Sequence, residues 1–149
     1  MNGDAAGKPG MASLYLVYDQ RDEAAIAPWS DLLFQSCEVV HPLFDGDERE
    51  IREAHEDTLR QCDGVLLFYG NANEAWLRRK LTEVQKSPGN GRTKPAPELC
   101  VLQVPPRTPA KERFRTHYCN VVAQWNGCDA AGLQPFLDAV AARGREPSP

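Results

Sequence analysis

No apolar run in these 149 residues approaches the ~20 needed to cross a bilayer, and the opening MNGDAAGKPG has no apolar signal-peptide core. Both absences predict a soluble, cytoplasmic protein with no membrane partner. There is no excess of positive charge either. Lys and Arg number 17 against 21 Asp and Glu, a formal net charge of −4, so a nucleic-acid or anionic-membrane binder with a broad basic face is excluded. CxxC pairs are missing. The five cysteines (Cys37, Cys62, Cys100, Cys119, Cys128) are odd in number and scattered, which argues against a zinc ribbon or a redox motif. Cys62 precedes GVLLFYG and Cys100 lies within ELCVLQV, so both read as buried reduced thiols, as befits a cytosolic compartment. His41, His55 and His117 lack metal-ligand spacing and are expected to pack or to face solvent, and no metal site is predicted. The glycines of SPGNGRTKP (87–95) sit near Arg92 and Lys94, but GxxxxGK[ST] is absent and the stretch follows a helix. It reads as a flexible, solvated loop. Internal repeats and low-complexity segments are absent too.

What is present is ordinary globular material, 42% hydrophobic and 26% charged, of a length that suits one domain. Residues 1–12 and 144–149 are polar and rich in Gly or Pro and are expected as disordered tails or linker stubs around a domain at 13–143. Strand and helix patterns alternate between them. SLYLVY (13–18) predicts a strand, and EAAIAPWSDLLFQSC (23–37) a helix with Pro28 in its first turns. EVVHPLF (38–44) predicts a second strand. DGDEREIREAHEDTLRQC (45–62) predicts an Asp–Gly–Asp turn with a helix cap, then a helix. GVLLFYG (64–70) is the continuous apolar strand of a sheet covered on both faces. Asn73 is placed to cap a helix carrying Trp76, Leu77, Leu81 and Val84. Beyond the 87–98 loop come strands at 99–104 and 118–125, a short helix at 111–117 and a final helix at 130–144, with Pro135 near its start.

Five such cycles with short crossovers specify a parallel sheet sandwiched between helices. Ligands bind such sheets beyond the strands' carboxyl ends. Asp19, Gln20, Arg21 and Asp22 leave the first strand there, Phe44 to Asp47 the second, and Tyr69, Gly70, Asn71 and Asn73 the third. Three loops rich in acids and amides thus converge on one edge. The Asp45/Asp47 pair could suggest a response-regulator metal site, but Tyr69–Gly70 stand where that fold needs an acceptor aspartate.

YLVYDQRDE (15–23), FDGDEREIREAHEDTLRQCDGVLLFYG (44–70) and AWLRRKLTEV (75–84), in that order and spacing, resemble the Toll/interleukin-1 receptor (TIR) family. The resemblance covers about 13–143 and is closest to TIR-like domains fused to large bacterial ATPase or repeat-containing signalling proteins. It implies a flavodoxin-like three-layer α/β sandwich with five parallel strands. It also implies one of two roles. Many bacterial and plant members cleave the nicotinamide–ribose bond of NAD⁺ when assembled, in antiviral defence or cell death. Others are non-catalytic and dock on further TIR domains, here through Phe44 to Asp47.

Cleavage of NAD⁺ expels a neutral nicotinamide and leaves a ribosyl oxocarbenium, so a fixed carboxylate and an aromatic wall are the parts to look for. In catalytic relatives the carboxylate follows the tryptophan by four residues. Here that place is Lys80, and the next acid is Glu83, seven after Trp76. On a helix i and i+7 share a face, but the acid lies about 10 Å further along the axis. Glu83 is the expected catalytic carboxylate; Glu74, at the helix start, is the rival, and neither is the third possibility. The resemblance assigns Trp76 and Tyr69 as aromatic walls and Asp19, Arg21 and Asp45 as contacts to ribose or phosphate. NAD⁺ is then substrate, with no further cofactor. Asp22 could bind ribose or order the first loop. Nucleoside deoxyribosyl transfer on a related fold would also use one carboxylate.

Overall fold

The computed structural model describes residues 11–145. Five strands, β1 (Ser13–Val17), β2 (Glu38–Val40), β3 (Gly64–Tyr69), β4 (Glu98–Gln103) and β5 (Asn120–Ala123), form one sheet in the order β2-β1-β3-β4-β5. Every neighbouring pair is parallel. This is the flavodoxin-like order, with its switch point between β1 and β3. The helices are α1 (Ala27–Phe34), α2 (Glu48–Gln61), α3 (Glu74–Lys86), α4 (Pro109–Arg113) and α5 (Gln134–Arg145).

Strand side chains alternate between faces, and both faces here are covered. Leu14, Leu16, Leu66, Phe68, Cys100 and Leu102 pack against Trp29 and Leu33 of α1 and Leu137 and Val140 of α5. Tyr15, Val17, Val65, Leu67, Tyr69 and Val101 pack against Leu59 of α2, Leu77, Leu81 and Val84 of α3, and Phe114 after α4. Burial on two sides explains why β3 reads as an unbroken apolar run: all six of its residues are buried. Each large side chain so covered contributes about 1.5–3 kcal/mol.

Local signals set the helix starts. Gly46 takes a left-handed φ of 121° in the Asp–Gly–Asp turn, a conformation glycine adopts without a Cβ penalty. Asp47 then accepts from the backbone N–H of Glu50, whose side chain accepts from that of Asp47, a complete capping box. Asn73 caps α3 by accepting from Trp76 N–H at 2.9 Å.

Several expected bounds shift. The helix predicted at 23–37 is two pieces, a 3-10 turn Gln20–Ala25 capped by Asp19 and then α1, because Pro28 lacks an N–H and sits where a helix restarts. The second strand stops at Val40, after pairing with Ser13 to Tyr15. The 87–98 loop is exposed at residues 88–91 and 93–96, as expected, but Ser87, Arg92 and Pro97 are buried. Ser87–Asn90 form a 3-10 turn, and Arg92, 7% exposed, donates to the carbonyls of Leu59 and Pro95. Most of the predicted tails lies outside the described residues. Of the rest, Ala12 is buried and accepts from Glu38 N–H, and α5 runs on to Arg145. No helix among the described residues is long and apolar enough to cross a membrane.

Candidate functional site

The strand-exit loops of β1 and β2 and the facing stripes of α2 and α3 enclose a cleft of about 590 Å³, within the range of small-molecule sites. Tyr15 and Val17 of β1 form its floor. Asp19 and Arg21 stand on one rim, with Leu43 and Phe44 on another. From α2 come Glu48, Arg52 and His55, spaced 4 and 3; from α3 come Trp76, Lys80 and Glu83, spaced 4 and 3. Both triplets lie one above another along a helix face, so the cleft runs down between the two helices.

Glu83 anchors its inner end. Its Oε1 accepts from His55 Nε2 at 2.7 Å and lies 3.5 Å from Lys80 Nζ; Oε2 accepts no hydrogen bond among the described residues. Across the ring, His55 Nδ1 is 2.8 Å from the Tyr15 hydroxyl. Three elements thus meet in a Tyr15–His55–Glu83 chain. Burial pushes the Glu83 carboxyl up, but the His55 hydrogen bond and the Lys80 charge outweigh it and leave the group below the usual glutamate value. It is ionised at neutral pH. Burial above all, then the nearby Cys62 and Glu83, pushes the Tyr15 phenol far above its ordinary value, so it stays protonated.

Asp19 and Arg21 are paired: the Asp19 carboxylate accepts from Arg21 Nε at 2.9 Å, from Nη2 at 3.3 Å and from its backbone N–H. The Arg21 hydrogen bond holds the Asp19 carboxyl below its ordinary value. Trp76, half-buried, packs against the core below while lining the cleft. The structure therefore brings Glu83, Trp76, Asp19 and Arg21 together. Tyr69 and Asp45 are not among them. Tyr69 is 2% exposed, its ring edge-on to Phe114 at 6.3 Å; it shares the sheet face of Tyr15 and Val17 but is packed into the core there and does not line the cleft. Asp45 sits exposed in the turn, beside a Phe44 that faces inward. The rival Glu74 does not line the cleft; it accepts from Arg78 Nε at 2.7 Å. Asp22 is 2% exposed and accepts from the backbone and side-chain N–H groups of Asn71, so it orders the first loop.

Sequence patterns missed His55, Tyr15 and Lys111. Lys111, 3% exposed, donates to the carbonyls of Gly70, Val104 and Pro106 at 2.6–2.8 Å. The signal for His55 was available in its spacing of seven from Glu48, on the face turned to α3. Nothing local in KERFRTH marks Lys111.

Among solved structures the chain is similar to FerB, a flavoenzyme NAD(P)H:(acceptor) oxidoreductase from Paracoccus denitrificans, at 13% identity, covering 90% of this chain and 97% of that one with a TM-score of 0.54. It is also similar to a response regulator receiver domain protein from Bacillus halodurans, at 18% identity, covering 93% and 99%, with a TM-score of 0.49. The likeness reaches the fold alone. No protein-family model and no curated protein matches the chain. Among the described residues no cluster of three or more His, Cys, Asp or Glu is arranged to hold a metal ion.

The site offers one ionised carboxylate with a free oxygen, an indole wall, and an acid–arginine pair at the rim. That set can hold a planar cationic ligand and stabilise positive charge. It carries neither a nucleophilic thiol nor a metal cage.

Proposed function

We propose that the chain is a TIR-type signalling domain that hydrolyses NAD⁺ at the nicotinamide–ribose bond when copies of it assemble, in cytoplasmic antiphage or cell-death signalling in bacteria. The observation that carries this reading is the presence of the Glu83 carboxylate in one cleft with Trp76, Asp19 and Arg21. The family's sequence resemblance supports it.

In the proposed reaction the C–N glycosidic bond breaks heterolytically, and its electron pair leaves with nicotinamide, which becomes neutral. The ribosyl carbon and ring oxygen share the positive charge that remains. Glu83, ionised and held from behind by His55, faces that charge with its free oxygen. Such a fixed countercharge is worth about 10²–10³ in rate by analogy with one oriented electrostatic group. Water adds to the ribosyl carbon, giving ADP-ribose and releasing one proton to solvent. Trp76 stacks on the nicotinamide, and the Asp19–Arg21 rim meets ribose hydroxyls and diphosphate.

The test is nicotinamide release measured by chromatography, with the protein concentrated or crowded to favour assembly. Wild type is expected to turn over and Glu83→Gln to lose about 10²-fold or more. Full activity in Glu83→Gln discards the assignment. Absence of turnover under every assembling condition leaves the docking reading, in which Phe44 to Asp47 contact another TIR domain.

A further inference from the structure

We infer that His55 is the positioning residue of the site: it fixes the rotamer of Glu83, with the Tyr15 hydroxyl bracing the ring from the other side. The inference rests on Glu83 as the reacting carboxylate. A carboxylate can only accept, so the proton between Nε2 and Oε1, 2.7 Å apart, belongs to the imidazole. In the tautomer that carries its proton on Nε2, Nδ1 is bare, and the phenol 2.8 Å away donates to it. The acceptor-only carboxylate sets that tautomer, and the phenol, able to donate, completes the chain. The side chains come from β1, α2 and α3, so the chain also ties both walls of the cleft to its floor.

The consequence is geometric. With Oε1 held by His55 and Lys80, Oε2 points where no residue described here binds it. Without the imidazole, Glu83 is free to swing onto Lys80, and a displacement of about 1 Å in a reacting group costs on the order of 10²-fold in rate. Lys80 cannot substitute for His55, because a flexible ammonium 3.5 Å away sets no direction.

Two measurements on the full chain decide the matter. Long-range ¹⁵N–¹H spectra read the ring directly. The expected result is a single Nε2–H tautomer whose signals move in both Glu83→Gln and Tyr15→Phe. An Nδ1–H tautomer, an averaged mixture, or indifference to both substitutions overturns the inference, whatever the protein's activity. In nicotinamide release, His55→Leu is expected to lower kcat about 10²-fold while KM stays within about twofold, and His55→Gln, which keeps an N–H in reach, to recover about tenfold of that loss. A wild-type kcat in His55→Leu, or no recovery in His55→Gln, also overturns it. If the wild type releases no nicotinamide at all, the proposed reaction falls, and the spectra alone judge the positioning.

Discussion

Replacing Lys111 with methionine tests what holds the rim of the cleft in place. The ammonium donates to Gly70 O at 2.6 Å, Pro106 O at 2.7 Å and Val104 O at 2.8 Å, joining the exits of β3 and β4 to α4. Gly70 leads into Asn71, whose N–H groups are bound by the buried Asp22, and Asp22 belongs to the turn that carries Asp19 and Arg21. Methionine fills the volume but leaves the carbonyls unpaired. The oxygens of Gly70 and Val104 are buried, and each unsatisfied acceptor costs about 1–3 kcal/mol. Set against the desolvation that the ammonium no longer suffers, the expected loss is about 3 kcal/mol in urea unfolding, with m unchanged. A chain of this length would lose about 6–12 °C in Tm. A loss under about 1 kcal/mol would refute the argument, because water would then be serving those carbonyls as well as the lysine does.

The same substitution has a pH signature. Burial draws the Lys111 ammonium down from 10.5 to about 8, against an opposing pull from Asp22. The folded value lies below the unfolded one, so between them the native state binds fewer protons. This lysine therefore makes stability rise as pH climbs through that window and contributes its full penalty below it. The stability of wild type minus that of Lys111→Met should climb from pH 8 to 10, by no more than about 1.4 kcal/mol per unit.

Two further outcomes follow from the same packing. Gly70→Ala would place a Cβ 2.7 Å from the Asp22 carboxylate; calorimetry should show a loss of about 1–3 kcal/mol, as for other overpacked sites. For Glu83 the folded value is lowered, so its stabilisation is present above the unfolded carboxyl value and lost as pH falls through the folded one. In acid titrations followed by circular dichroism, Glu83→Gln should flatten the wild-type fall in stability below about pH 4.3.

The elements were legible where one local rule decided them. The apolar run of β3, the Asp47 and Asn73 caps and the Gly46 turn each act within a few residues, and each stands where its sequence pattern put it. The fold followed, since five parallel crossovers admit few arrangements. The site was legible only in part. Asp19, Arg21, Trp76 and Glu83 line one cleft, whereas Tyr69, though on the same sheet face as Tyr15 and Val17, is packed into the core beside Phe114. His55 and Lys111 work through partners 28 and 41 residues distant, a separation at which no periodicity speaks. Arg92 is the same case: its glycine-rich surroundings look solvated, yet its guanidinium finds the Leu59 carbonyl on α2.

Glu83, seven residues past Trp76, lies deep in the cleft. A site confined to the carboxyl edge of the sheet would need its acid within a turn of Trp76, where this chain has Lys80. Here the hollow extends inward over Val17 and Tyr15, and those two residues are successive members of the β1 face turned to α2 and α3. Two residues of strand span about 6.6 Å, and the helices run back along it. The deeper acid therefore lies beside Tyr15, where His55 arrives from α2 at the same level, seven residues past Glu48 as Glu83 is seven past Trp76. Moving the carboxylate inward costs it solvent, and the imidazole and Lys80 restore its charge. The acid and the histidine are thus one unit: the imidazole supplies the hydrogen bond that a carboxylate at this depth needs, and the carboxylate gives the ring its acceptor.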